Sequence, residues 1–96
     1  MEIEETIDLY EAIRRMRQLT QQGKSFSFAH STLNRQTDTC DGVRYVKSAR
    51  LRPSAKGDDL LHSDFKLFYF DEDLVMPRVC WQMLIMFFNE KKVILN

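Results

Sequence analysis

An α+β fold, one N-terminal helix packed on a mostly antiparallel sheet of about five strands, follows from three observations on this chain. Apolar residues recur at helical spacing near the N-terminus. Polar and apolar residues alternate with a period of two through three later segments. Residues 79–95, VCWQMLIMFFNEKKVIL, close the chain with a dense apolar run. Short turns between successive segments favour a meander, and a sheet bent toward a small barrel is the alternative.

The helix is expected over residues 7–22, with Thr6 as N-cap and Asp8 and Glu11 in the first turns, where carboxylates complement the positive end of the helix dipole. Leu9, Ala12, Ile13, Met16 and Leu19 form one apolar stripe, and Arg14, Arg15, Arg17 and Gln18 take the other faces. Gly23 ends the helix, because it adopts the left-handed conformation at little steric cost. Residues 25–32, SFSFAHST, set Phe26, Phe28 and His30 on one side of a half-exposed strand. The polar stretch 34–42 ends in Asp41 and Gly42 and reads as the tip of a long hairpin. In residues 43–52, Arg44, Val46, Ser48, Arg50 and Arg52 alternate with Val43, Tyr45, Lys47, Ala49 and Leu51, and Pro53 stops the ladder. A third strand is expected over residues 60–70, a turn at 71–73, and Pro77 at the start or edge of the next strand.

Of the nine residues 80–88, only Gln82 is polar, so a strand built there needs cover on both faces. That is the pattern of a central, fully buried strand, and Trp81 is expected to be largely buried within it. Asn89, Glu90, Lys91 and Lys92 interrupt the run and Val93, Ile94 and Leu95 resume it, as in a hairpin closed by a short polar turn. One face of this strand carries Cys80, Gln82, Leu84, Met86 and Phe88. If the chain leaves that face open, a partner must close it, which makes Gln82, Leu84, Met86 and Phe88 a candidate interface.

With 96 residues, 11% of them aromatic, and only three Gly and two Pro, the chain reads as one domain over residues 1–96 that folds without a metal or disulfide. Zero net charge conceals segregation. Residues 1–12 hold five acidic groups and no basic one, residues 13–56 ten basic and two acidic, and residues 57–96 seven acidic and four basic. A basic middle segment either pairs with the acidic ends or presents a face to an anionic partner. No apolar run reaches the roughly 20 residues that span a bilayer, and the acidic opening is unlike a signal peptide. The expectation is a cytoplasmic protein without membrane contact. Cys40 and Cys80, forty positions apart, are expected as free thiols.

Nothing in the chain spells out a reaction. His30, Cys40, His62 and Cys80 lack the local pair spacing of a zinc site, and Asp71, Glu72 and Asp73 lack the glycine and closing glutamate of a calcium loop. The three glycines, at 23, 42 and 57, stand too far apart to wrap a phosphate. No catalytic residue, cofactor, metal or small-molecule substrate is therefore expected. The leading expectation is a non-enzymatic interaction or assembly module with a protein partner or a second copy. The alternative is a nucleic-acid-binding module, in which Arg44, Arg50 and Arg52 on one sheet face contact phosphates and Tyr45 or Phe26 stacks on unpaired bases.

The segments YEAIRRMRQLT, FSF at 26–28, ARLR at 49–52 and the terminal LIMFFN with VIL resemble a family of small uncharacterised proteins of bacterial prophages and mobile elements. The resemblance spans most of the chain and implies a genomic neighbourhood; it assigns no catalytic residue. Where such sequences tend to carry Asn-Gly in the final turn, this one has Asn89 and Glu90.

Overall fold

A computed structural model of the chain describes residues 5–34, 39–54, 57, 58 and 60–95. Its elements are β1 (Thr6–Asp8), α1 (Leu9–Gln21), β2 (Phe26–Asn34), β3 (Thr39–Leu51), β4 (Lys66–Asp71), β5 (Met76–Trp81), β6 (Ile85–Phe88) and β7 (Lys91–Ile94), with single 3-10 turns at Ser63–Phe65 and Gln82–Leu84. All seven strands join one sheet in the order β1-β7-β6-β2-β3-β4-β5, antiparallel throughout except for the parallel β1–β7 pair. The α+β class and the mostly antiparallel sheet are as expected; the count of about five strands is corrected to seven.

The two additional strands have clear origins. Thr6–Asp8 extends as a strand because it pairs in parallel with Lys92–Ile94, so Asp8 rather than Thr6 caps the helix. Its carboxylate accepts from the N–H groups of Tyr10 and Glu11 at 3.1 and 3.3 Å. The other addition comes from the apolar run, which does not form a single central strand. It breaks at Gln82–Leu84 into β5, at one edge of the sheet, and β6, beside β2. The middle of the sheet belongs to β2 instead. At the break the Gln82 side-chain amide donates to the carbonyls of Asp64 and Lys66. As the last residue of an edge strand, Trp81 is half-buried, not enclosed as expected.

Two further boundaries move. Thr39–Gly42, read as part of a loop, belongs to β3, and its hairpin partner β2 extends to Asn34; residues 35–38 at the tip lie outside the described residues. The third strand begins at Lys66 instead of residue 60, because residues 60–65 form turns in which Leu60, Leu61 and Phe65 are exposed.

Register shows how far this sheet curls. β5 and β6 are separated by four strand spacings, about 19 Å in a flat sheet, yet only three residues join them. Leu51 pairs with Tyr69, so Trp81, opposite Lys66, lies three residues beyond the end of β3, whereas Ile85 pairs with His30, itself opposite Arg44. The two ends of this link are thus also about ten β3 positions apart, over 30 Å in a flat sheet. Four Cα steps reach no more than about 14 Å. Only a strongly coiled sheet satisfies both conditions. Register shifts in β2 at Phe26/Phe28, Ala29/His30 and Thr32/Leu33 supply bends of the kind that bulges produce. β5 and β6 do not pair, so the sheet curls without closing into a barrel.

The concave side is filled by one apolar cluster: Ile7, Leu9, Ala12, Ile13 and Met16 from β1 and α1 meet Phe26, Phe28, Val46, Ala49, Leu67, Tyr69, Cys80, Ile85 and Phe88 from the sheet. Its aromatic centre is ordered by geometry, with Phe28 edge-on to Tyr69 at 4.9 Å between centroids. No helix among the described residues is long and apolar enough to cross a membrane.

The β6–β7 turn carries a strain that can be tested. Asn89 and Glu90 both have positive φ, 47° and 71°, the backbone of a two-residue type I′ turn. Asn89 tolerates this well and is tied to Ser27 by reciprocal hydrogen bonds at 2.9 Å, whereas Glu90 carries a Cβ in a region costing about 1 kcal/mol or more. Glu90→Gly is expected to raise stability in urea titration by up to about 1 kcal/mol; a decrease of that size would contradict the turn assignment.

Candidate functional site

Curling brings residues distant in sequence around one cleft. A cavity of about 340 Å³ is lined by His30, Ser31 and Thr32 from β2, Arg44 from β3, Lys66 and Tyr69 from β4, and residues 78–81 from β5. Three of these side chains, Arg44, Lys66 and Arg78, are cationic, and no carboxylate appears among the described lining residues. Arg44 and Arg78 form no ion pair among the described residues, and the polar contact of the Arg78 side chain is with Met76 Sδ at 3.4 Å. Lys66 is buried, its ammonium 5.2 Å from the centre of the Trp81 ring.

A buried polar pair forms the floor. His30 Nε2 stands 3.1 Å from the Tyr69 hydroxyl and Nδ1 3.0 Å from the Ser31 carbonyl. The carbonyl can only accept, so Nδ1 carries the proton and Nε2 accepts from Tyr69. This contact ties β2 to β4 across the intervening strand. Burial holds the His30 imidazole below its ordinary range, with Arg44 and Arg78 pushing the same way against the Ser31 hydrogen bond. Burial first, and Cys80 second, push the Tyr69 hydroxyl up to about 12, so it remains a donor. Buried Cys80 is a free thiol also pushed up to about 12, which leaves it protonated and a poor nucleophile.

The structure divides the three sheet arginines singled out from sequence. Only Arg44 lines the cleft. The Arg50 Nε lies 3.1 Å from a Glu72 carboxylate oxygen, and that carboxyl is held below its ordinary range by hydrogen bonds from Ser25 and Ser48 and then by Arg50. Arg52 is a structural fork: it meets Asp58 through two N–H groups at 2.8 and 3.2 Å, donates to the carbonyls of Tyr69 and Arg78 at 3.0 Å each, and lies over the Phe68 ring at 5.5 Å. On the helix, Arg14 and Arg15 both pair with Glu11. Lys66 and Arg78, outside the alternating arginine pattern of β3, join Arg44 only because β4 and β5 curl back. Alternation within a strand carries no sign of that approach.

Of the candidate interface residues, Phe88 is in the core and touches Phe26, Met86 is half-buried and accepts from the Ser31 hydroxyl through sulfur, and Leu84 is half-buried. Gln82 is committed to two backbone carbonyls. The four do not share one exposed face. Phe26, considered for base stacking, is also core, while Tyr45 is exposed but outside the cleft. The Cys40 side chain lies outside what is described, and among the described residues no three His, Cys, Asp or Glu side chains gather as a metal site.

No protein-family model matches this chain, and no curated protein or solved structure matches it.

The low proton affinity of folded His30 has a definite consequence. As pH falls below about 6.5 the unfolded chain takes up this proton before the folded one does, so stability is lost on the acid side and is complete above it. Urea midpoints are expected to fall between about pH 7.5 and 5.5, and to fall less in His30→Gln. An equal drop in both proteins would show that His30 contributes nothing to it.

Proposed function

We propose that this protein is a non-enzymatic binding module that holds the phosphate backbone of a nucleic acid in the cationic cleft. One observation carries the reading: Arg44, Lys66 and Arg78 line a single cavity together with no described carboxylate. Arg44 and Arg78, which form no ion pair among the described residues, repel one another there, and an anion relieves that repulsion while accepting their hydrogen bonds. The groups around it suit binding better than catalysis. His30 has both ring nitrogens engaged, the Tyr69 hydroxyl is spent on His30, and the Cys80 thiol stays protonated.

Assembly with a protein partner or a second copy is the second reading, favoured by β5. It ends the sheet, and Leu74, Val75, Met76 and Val79 in and before it are exposed. Pro77 weakens this reading. Arg52 N–H donates to Phe68 O, which by antiparallel alternation turns the Tyr69 backbone toward β5 and leaves Pro77, Val79 and Trp81 on the outer edge. A strand adding there finds no N–H at Pro77.

Titration with single- and double-stranded oligonucleotides at low and moderate salt tests the proposal, with light scattering alongside to reveal self-association. Binding is expected to weaken steeply with salt. Arg44→Glu and Arg78→Glu should each lower affinity roughly tenfold and reduce the log–log salt slope by about 0.7 for each phosphate no longer neutralised, whereas Arg50→Glu changes affinity little. Absence of binding at low salt would refute the nucleic-acid reading and leave assembly as the better one.

A further inference from the structure

We propose that an unpaired nucleobase seats between the rings of Trp81 and His62 at the rim of the cleft, which makes single-stranded nucleic acid the ligand. The inference rests on the phosphate-binding reading above and specifies the ligand within it. Trp81 lines the cleft at the end of β5, is half-buried, and is the only tryptophan of the chain. The nearby Lys66 ammonium, 5.2 Å from its ring centre, holds the indole in place. Facing it, His62 stands 6.4 Å away between ring centres with the planes inclined by 43°.

That spacing is too wide and too tilted for the two rings to stack on each other. A planar ring inserted between them needs about 3.5 Å on either side, about 7 Å in all. Centres 6.4 Å apart with planes at 43° make a tilted contact and not an open slot, so a base enters only when His62 rotates outward toward a parallel setting. His62 is free to make that rotation: it is exposed, it precedes the 3-10 turn at Ser63–Phe65, and its ring has no hydrogen bond among the described residues. Its backbone holds φ 57° and ψ 35°, a left-handed conformation that non-glycine residues seldom keep.

The other aromatic rings around the cleft cannot serve. Tyr69 and Phe28 are in the core. Because Trp81, Arg78 and Arg44 line the same cavity, a base on Trp81 directs its own or a neighbouring phosphate toward the two arginines. A cavity of about 340 Å³ lies at the small end of ligand sites. A duplex, with its bases paired and stacked, has no base to offer here.

The full chain is titrated with oligothymidylate about ten nucleotides long, with an abasic phosphodeoxyribose oligomer of the same length, and with inorganic polyphosphate. Trp81 emission and the anisotropy of labelled oligomer are followed together. Oligothymidylate is expected to quench Trp81 and to bind roughly 5- to 100-fold tighter than the abasic oligomer, the range that stacking one base on an aromatic ring gives. His62→Ala, an exposed change that leaves the core intact, should erase several-fold of that difference. Equal affinity for thymidylate and abasic oligomers, with Trp81 emission unchanged, would overturn the base site and leave the phosphate reading standing. Undiminished affinity and quenching in His62→Ala would overturn the two-ring clamp. If none of the three probes binds at low salt, the phosphate reading fails and the base site fails with it.

Discussion

The three-residue link Gln82–Leu84 is the constraint on which the rest of the structure depends. It must connect β5 at the sheet edge to β6 beside β2, and a flat sheet would place those ends tens of ångströms apart. Coiling removes the distance, and three other features belong to the coiled state. Bulged β2 bends, the aromatic rings of β2, β4 and β6 meet on the concave side, and α1 with β1 contributes the remaining apolar side chains of the core. The Gln82 amide secures the link by donating to the backbone on the approach to β4. A side chain that looked like a flaw in a buried strand is the fastening of a turn.

The same coiling concentrates charge. β3 contributes one cation to the cleft, β4 a second and β5 a third, none of them near another in sequence. Burial, with Arg44 and Arg78 acting the same way, disfavours a further positive charge here, and His30 stays hydrogen-bonded to Tyr69 and Ser31. Arg52 shows the contrast on the same sheet. Its guanidinium, beside Asp58 and two carbonyls, is fully used in joining β3 to β4 and β5, and has nothing left to offer a ligand.

Local patterns in the sequence were legible where local physics decided the outcome. The helix stripe Leu9, Ala12, Ile13, Met16 and the glycine after the helix at position 23 appear in the structure as expected. Phe26, Phe28 and His30 are buried, but Ala29, expected on the exposed side of a half-exposed strand, is buried as well because β2 is central. The helix start differs, because Thr6–Asp8 is recruited by β7 from the far end of the chain. The apolar run misled for a different reason. Continuous hydrophobicity signals cover on both faces, but the run is split between an edge strand and a short inner strand, and only Cys80, Ile85 and Phe88 of its apolar side chains are buried while Val79 and Met83 are exposed. The cleft was half legible: Arg44 was among the three arginines singled out, while Lys66 and Arg78 were not, because their approach depends on the coil and not on any spacing along the chain.

The claim that the coil creates a nucleic-acid site is tested most directly by mapping amide chemical shifts of the isotopically labelled protein during titration with a single-stranded oligonucleotide. Perturbations should concentrate on residues 30–32, 44, 66 and 78–81, four strands reporting one binding event, and leave the outer face of α1 unmoved. Shifts confined to α1 and its Arg14, Arg15 and Arg17, with the cleft residues silent, would contradict the account.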